Sequence, residues 1–251
     1  MNQNHSPDET LAKLRQEIRR LEGFKQGTRP QHLPLGVAIA DCLPGSALPM
    51  GAVHEFTSQG YEEAAATIAF SLAVLSNLPR SGTIVWVARD HVQYAPGFAA
   101  FGIDPQRIIF ARPQKDAEAL WVMEEALRCK GIAAVAGECA LADLTATRRL
   151  QLAAEDSGVT GLLLRPFCRQ PGSSSCVTRW QVKPAPSLPG GLPGLGLPRW
   201  QVELLKARGG KPGSWTMEWR GKRLHIVEPP AKEIPLPEKQ RGAIVPFALR
   251  A

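Results

Sequence analysis

The side chains best suited to chemistry form no recognisable catalytic or metal-binding pattern in this chain of 251 residues. The histidines are scattered and lack the paired spacing of a metalloenzyme: His5, His32, His54, His91 and His225. No nucleophile elbow is present. Glu124 and Glu125 are adjacent on a predicted helix and point to different faces, so they do not form an acid–base pair. The sequence therefore predicts no catalytic residue, no metal and no cofactor.

The cysteines favour a protein of the reducing cytoplasm. Their number is odd and no C-x-x-C pair occurs among them: Cys42, Cys129, Cys139, Cys168 and Cys176. We interpret them as free thiols. The polar and acidic segment 1–9 is not a secretory signal, and no apolar run reaches the roughly 18 to 20 residues of a membrane span. His54 and His225 lie in predicted strands, and we expect both to be satisfied core or edge residues rather than ligands.

The whole chain has a net charge of +7, and its positive charge is concentrated in the last third. Residues 29–164 carry ten basic and fourteen acidic side chains, whereas residues 165–251 carry fifteen basic and five acidic ones. A basic half beside a slightly acidic half indicates an anionic partner such as nucleic acid. A solvated surface with a basic tail is the alternative.

Alternating elements predict an α/β fold with a mainly parallel sheet and helices on both faces. Predicted strands cover 51–56, 83–88, 108–110, 132–136 and 160–164, and predicted helices cover 62–78, 94–101, 116–128 and 143–156. Beyond residue 166 the pattern changes, and strands over 176–182, 200–205, 215–219 and 223–227 predict an antiparallel C-terminal extension. We take residues 29–227 as the core domain.

Two flanking segments have features of docking elements. Residues 1–28 form a predicted helix and linker, in which Ser6 and Glu9 make a capping box. A narrow apolar seam follows at helical spacing: Leu11, Leu14, Ile18 and Leu21. This seam packs either on its own core or on a second protein. The proline-rich basic tail, 228–251, ends in an apolar stretch around Phe247, which is either a frayed end or a short linear motif.

Several segments, in order, resemble the core of the RecA recombinases. Leu48-Pro-Met-Gly-Ala-Val-His-Glu-Phe56 resembles the strand that enters their phosphate loop, and Trp86-Val-Ala-Arg-Asp-His91 the strand that ends in their catalytic acid. Residues 101–104 and 108–111 match the next turn and strand. Residues 133–138 match the second phosphate-site strand, and 200–218 match the terminal hairpin. The resemblance implies a RecA-like fold.

The phosphate loop of that family is degenerate in this chain. A working loop reads G-x-x-x-x-G-K-[ST], in which glycines let the backbone wrap the phosphates and lysine neutralises them. The matching stretch places Ala64 at the lysine and Ala65 at the hydroxyl, and no lysine lies between residues 25 and 115. Gly60 precedes Glu62 and Glu63, whose carboxylates suit a helix N-terminus but would repel a triphosphate. The metal-holding acid falls on Gly137 or Glu138. We expect no ATP hydrolysis.

Two families combine a RecA-like core with a missing phosphate loop. In its length, its N-terminal helix, the L-P-x-G entry at residues 48–51 and its basic C-terminal half, the chain resembles the ImuA family of damage-induced mutagenesis proteins more than the SulA family. The resemblance implies a non-catalytic scaffold in SOS-induced translesion DNA synthesis. Its implied partners are an inactive, ImuB-like Y-family polymerase and an error-prone DnaE-type polymerase. The alternative is a SulA-like division inhibitor that binds FtsZ.

The same resemblance implies contacts with DNA and with other protomers. Loops after the later strands line the DNA channel of RecA, and the matching basic residues are Arg165, Arg169, Arg179 and Lys183. Contacts between these side chains and phosphates would give salt-dependent binding of single-stranded DNA. Trp180 either stacks on a base or lies in the core. The N-terminal helix would pack on a neighbouring protomer, giving a homo-oligomer, or on RecA itself, and we expect a cytoplasmic, nucleoid-associated protein.

Overall fold

A nine-stranded mixed sheet forms the centre of the fold, with the strand order β11-β10-β9-β8-β3-β7-β6-β4-β5. The computed structural model describes residues 32–33, 35, 37–78, 82–89, 95–187 and 196–227. The six parallel strands are β3 (Val53–Thr57), β4 (Thr83–Val87), β5 (Ile108–Ala111), β6 (Ile132–Glu138), β7 (Thr160–Arg165) and β8 (Thr178–Pro184). We call the edge at which these six strands end the carboxyl edge. The predicted mainly parallel α/β fold is confirmed.

Helices cover the two faces of the parallel strands, as predicted. Helices α2 (Tyr61–Ser76) and α3 (Ala95–Ala100) lie on one face, and α4 (Asp116–Arg128) and α5 (Leu144–Ser157) lie on the other. Asp143 caps α5 by accepting a hydrogen bond from the Ala146 N–H at 2.7 Å, and Gly158 ends the helix with a left-handed φ of 76°. A polar N-cap and a C-terminal glycine are the ordinary signals for such a helix.

Successive strand residues alternate between two apolar cores, because side chains of a strand point to opposite faces. On β7, Leu162 and Leu164 join the core under α2, whereas Leu163 joins the core under α4 and α5. On β4, Trp86 packs on the α2 side and its ring makes an edge contact with Phe98 of α3 at 5.2 Å. The central parallel strands β4, β6 and β7 are thus buried on both sides, which explains their nearly continuous apolar sequence, whereas the edge strand β5 exposes Ile109.

The antiparallel C-terminal extension consists of β9 (Arg199–Ala207), β10 (Gly213–Arg220) and β11 (Arg223–Val227), which follow β8 in the sheet. The strand predicted over 176–182 as part of this extension is β8, which instead pairs parallel with β3, so for this strand the predicted direction is wrong. Its apolar face packs on α2, where Trp200 contacts Phe70 with ring centroids 5.6 Å apart. Its opposite face presents polar side chains such as Gln201 and Glu203, next to Lys183 of β8. The extension therefore adds one buried face and one polar face to the sheet.

Short elements that the sequence patterns did not predict lie before β3. They are β1 (His32–Leu33), the one-turn helix α1 (Val37–Ala40) and β2 (Leu48–Pro49), with β1 and β2 paired antiparallel. The 209–213 connection between β9 and β10 lies against this region, since the Lys211 N–H donates to the Cys42 carbonyl at 3.0 Å. No helix in the described ranges is long and apolar enough to span a bilayer.

Candidate functional site

The position matching a phosphate loop is occupied by a helical turn and a carboxylate. Only Ser58, Gln59 and Gly60 connect β3 to α2, which is already helical from Tyr61. The Gln59 N–H donates to Oε2 of Glu63 at 2.7 Å. A wrapping loop needs several free backbone N–H groups, and at this position a side chain of the same helix takes one of them. Ala64 and Ala65, at the expected lysine and hydroxyl positions, lie inside α2.

An exposed aromatic pair lies beside this turn. Tyr61 is 82% exposed, and its ring meets the edge of Phe167 with centroids 4.7 Å apart. Phe167 follows β7 and has a φ of 58°, in the left-handed region that a bulky residue rarely adopts. The two rings thus form an apolar feature at the carboxyl edge, next to the Glu62 and Glu63 carboxylates.

Behind the aromatic pair, three strands contribute to a buried charge cluster. Glu55 of β3 is fully buried and accepts hydrogen bonds from Arg165 Nη1 and Arg179 Nε, each at 2.8 Å. Arg165 also donates to the Ala140 carbonyl, while Arg179 donates to the Gly172 carbonyl at 2.6 Å. Burial by itself lowers the pKa of Arg165, but the hydrogen bond to Glu55 and the charges of neighbouring groups together outweigh it, and the pKa is raised. Two guanidinium groups thus share one carboxylate, which gives the cluster a formal net positive charge.

Two of the four residues predicted to bind DNA, Arg165 and Arg179, lie in this cluster. Arg165 and Arg179, with side chains 8% and 13% exposed, are held by Glu55 and by backbone carbonyls, so neither guanidinium is available to a phosphate. Arg169 and Lys183 are exposed, and for them the prediction stands untested. Trp180 is buried in the core under α2 and stacks on Phe56, so its core interpretation is confirmed.

The position that matches the metal-holding acid of the RecA family falls on Gly137 or Glu138, at the end of β6. Gly137 lies against α4, where an added Cβ would come within 2.3 Å of the Met123 sulfur, so its role is close packing. Glu138 is half-buried at the end of β6. Throughout the described ranges, no group of three or more histidine, cysteine or acidic side chains is arranged to hold a metal ion.

The histidine and glutamate interpretations are confirmed. His54 is buried and hydrogen-bonds Thr178 Oγ1 at 2.7 Å and the Pro49 carbonyl at 2.8 Å, and burial lowers its pKa to about 4. His225 is half-buried and contacts the Arg220 carbonyl. Glu124 is buried and pairs with Arg149 of α5, while Glu125 is exposed, so the two carboxylates lie in different environments.

The cysteines are free thiols, as predicted. Burial raises the pKa of Cys139 and of Cys176 to about 12, so both remain protonated at neutral pH. A protonated, buried thiol is neither a nucleophile nor a good metal ligand. Cys139 and Cys176, like the buried Cys42, therefore behave as small core residues, whereas Cys129 is exposed.

Several predicted residues lie outside the described ranges. They are the seam residues Leu11, Leu14, Ile18 and Leu21, the tail residue Phe247, and the loop residues Asp90 and His91. One basic feature was not singled out from the sequence: the turn between β10 and β11, whose residues Arg220, Lys222 and Arg223 are all exposed. The R-G-K-R string between two alternating segments was its signal.

The described residues define a mainly parallel α/β protein with an antiparallel C-terminal extension, in which three residues connect β3 to α2. No family model matches the chain. It is, however, 41% identical over 198 residues to Protein ImuA from Caulobacter vibrioides, in two strains, and the match covers 72% of this chain and 80% of the relative. The chain belongs to the ImuA family.

Proposed function

We propose that this protein is a non-catalytic accessory protein of damage-induced (SOS) translesion DNA synthesis. Membership of the ImuA family supports this role, because the resemblance described above associates that family with mutagenesis after DNA damage. In this proposal the chain brings together an inactive ImuB-like polymerase, an error-prone DnaE-type polymerase and single-stranded DNA, with RecA as a further partner. The fold acts as a scaffold in the cytoplasm, at the nucleoid.

The observation that carries the non-catalytic part is the β3–α2 connection. Three residues form it, and the Glu63 carboxylate takes the Gln59 N–H at 2.7 Å. A triphosphate at this place would meet two carboxylates and no lysine, and this repulsion disfavours its binding.

We expect no ATP hydrolysis and no tight binding of Mg·ATP. Hydrolysis is measured by phosphate release and binding by titration calorimetry, with the chain purified under reducing conditions because its thiols are free. A variant with Glu62→Ala and Glu63→Ala tests whether the carboxylates alone exclude the nucleotide. Binding of Mg·ATP by the wild type with a dissociation constant of about 1 μM or less would contradict the proposal.

The scaffold role is tested by recovering the protein with its partners. The chain is tagged, purified from cells treated with a DNA-damaging agent, and the co-purifying proteins are identified by mass spectrometry. Recovery of a polymerase-like protein, a DnaE-type polymerase or RecA supports the proposal, and an untreated culture is the control. Recovery of FtsZ in place of these proteins would favour the SulA-like alternative.

A further inference from the structure

The turn between β10 and β11 places three cations on four consecutive residues, Arg220-Gly221-Lys222-Arg223. All four residues are exposed. Gly221 and Lys222 have φ values of 57° and 61°, the left-handed pair typical of a two-residue hairpin turn. Because β10 runs in the same direction as the parallel strands, this turn projects beyond the carboxyl edge.

The local structure of this turn is unfavourable in two ways. Arg220 and Arg223 are directly paired across the two strands, and like charges in that position destabilise a hairpin. Lys222 holds a left-handed conformation that costs a residue with a side chain more than it costs glycine. An anion bound between the cations would relieve the first of these costs, because it supplies the missing opposite charge.

The acidic side chains nearby do not neutralise the turn. Glu218 lies 3.8 Å from Arg220 Nη1, but its other oxygen accepts a hydrogen bond of 2.6 Å from Arg199 Nε. His225 contacts the backbone carbonyl of Arg220 rather than a side chain. In the part of the chain that the structure describes, one carboxylate is therefore shared between Arg199 and the turn, and a surplus of positive charge remains.

We propose that this basic turn (Arg220, Lys222 and Arg223), together with Lys183, binds the backbone phosphates of single-stranded DNA. Lys183 is exposed and pairs with Gln201 of β9, which in turn pairs with Thr216 of β10. Residues paired in this way point to the same face, and Arg220 shares the face of Thr216 because the two are four residues apart on one strand. Arg223 pairs with Arg220, so all three cations lie on one polar face. Lys183 lies two strands away from Arg220, about 10 Å across the sheet and about 13 Å along it. The inference rests on the proposed function and assigns residues to its DNA contact.

Among the described residues, the same face presents few exposed large apolar side chains by which it could bind an acidic protein. Protein interfaces are anchored by large apolar side chains that enter a pocket, but the tryptophans of this region, Trp180, Trp200 and Trp219, point toward α2 and are buried there. A line of cations about 16 Å long is matched by about five nucleotides at about 3.4 Å each. These observations favour a linear polyanion over a folded partner.

The test compares two double variants that each remove two positive charges. Arg220→Ala with Arg223→Ala alters the turn, and Lys130→Ala with Lys211→Ala is the control, since Lys130 and Lys211 lie near the opposite edge of the sheet. Binding of a fluorescein-labelled oligothymidine of about 20 nucleotides is followed by fluorescence anisotropy at several salt concentrations. The turn variant is expected to bind at least about tenfold more weakly, and its plot of log affinity against log salt to be shallower by about 1.4.

A third variant separates binding from folding. Lys222→Gly removes one cation at a backbone conformation that glycine prefers, so the melting temperature should be unchanged or higher. The salt slope should nevertheless decrease by about 0.7. A loss of affinity in a chain that melts no earlier than the wild type cannot result from unfolding.

Two results would overturn the inference, and they differ in what else they affect. If the wild type binds the oligonucleotide and the turn variant binds it as tightly as the control does, the turn is not the site and the proposed function stands. If the wild type does not bind even at low salt, the DNA contact in the proposed function fails as well. The scaffold role is then decided separately by the co-purified partners.

Discussion

Glu55 supplies the opposite charge for two arginines that would otherwise be buried without a carboxylate partner. It contacts Arg165 from β7 and Arg179 from β8, and these arginines in turn donate to the carbonyls of Ala140 and Gly172. The loops that follow β6 and β7 are thereby attached to the centre of the sheet. Removing one partner of a buried ion pair is costly because the other charge is left without compensation.

Replacing this carboxylate should therefore destabilise the whole fold. Glu55→Gln is expected to lower the free energy of unfolding by about 3 to 5 kcal/mol, measured by urea denaturation at neutral pH. The control is Glu125→Gln on α4, whose exposed contact with Arg128 is 3.8 Å long and should contribute less than about 1 kcal/mol. A loss below about 1 kcal/mol for Glu55→Gln would show that the cluster contributes little to stability.

Buried His54 should make stability depend on pH. Burial lowers its pKa from 6.5 to about 4, so below pH 6.5 the unfolded chain binds a proton that the folded chain does not. Stability is therefore complete above pH 6.5 and decreases as the pH falls toward 4. Between pH 7 and pH 5 the wild type should lose about 2 kcal/mol more than a His54→Gln variant, measured by urea denaturation. Equal losses in both proteins would contradict this assignment.

For single residues, the sequence predicted burial and chemical state better than it predicted which residues contact one another. The placing of His54 in the core and the free state of the cysteines followed from local pattern. The pairing of Arg165 and Arg179 with Glu55 did not, because it depends on β3 lying between β7 and β8. Glu55 is more than 100 residues away in sequence from each of the two arginines. A pattern along one strand does not reveal its neighbours in the sheet.

Strand β6 and helix α4 pack closely at Gly137, where the missing side chain makes room for Met123. A Cβ on Gly137 would lie 2.3 Å from the Met123 sulfur, and Met123 is fully buried. Gly137→Ala should therefore lower the free energy of unfolding by about 1 to 3 kcal/mol, as overpacking does. The double variant Gly137→Ala with Met123→Ala should lose less than the sum of the two single changes, because the clash is gone. Thermal and urea unfolding of all three variants measure this coupling, and additive losses would contradict it.

Element types were predictable from the sequence, while short elements and their ends were not. The predicted helix 62–78 is α2 over Tyr61–Ser76, and the strand predicted over 176–182 is β8 over Thr178–Pro184. Both are long apolar patterns, whose existence is a strong signal. β1 and β2 have two residues each and are specified by pairing with one another, so no periodicity could reveal them. The turn at Gly221 and Lys222 uses a lysine where asparagine or glycine is usual, which weakened its turn signal.

Across the whole molecule, the alternation of strands and helices predicted a mainly parallel sheet, and the late alternating strands predicted its antiparallel extension. Both follow from general connection rules, since parallel neighbours need a helical crossover and hairpins do not. The order of the strands was not derivable in the same way. β3 pairs with β7 and β8, and β4 pairs with β5 and β6. Such an order depends on contacts between distant segments, which a single sequence does not display.

Helix α2 lies under both halves of the sheet. Its buried residues Phe70 and Leu72 belong to the core that also contains Trp86 of the parallel strands and Trp200 of the extension. A chain shortened to end before β8 would keep α2 but lose the strands whose residues, such as Trp200, pack on its apolar surface. Such a fragment would expose the apolar face of α2 to solvent and would tend to aggregate. The parallel half is therefore not a free-standing unit, and any dissection of this protein has to keep both halves of the sheet together.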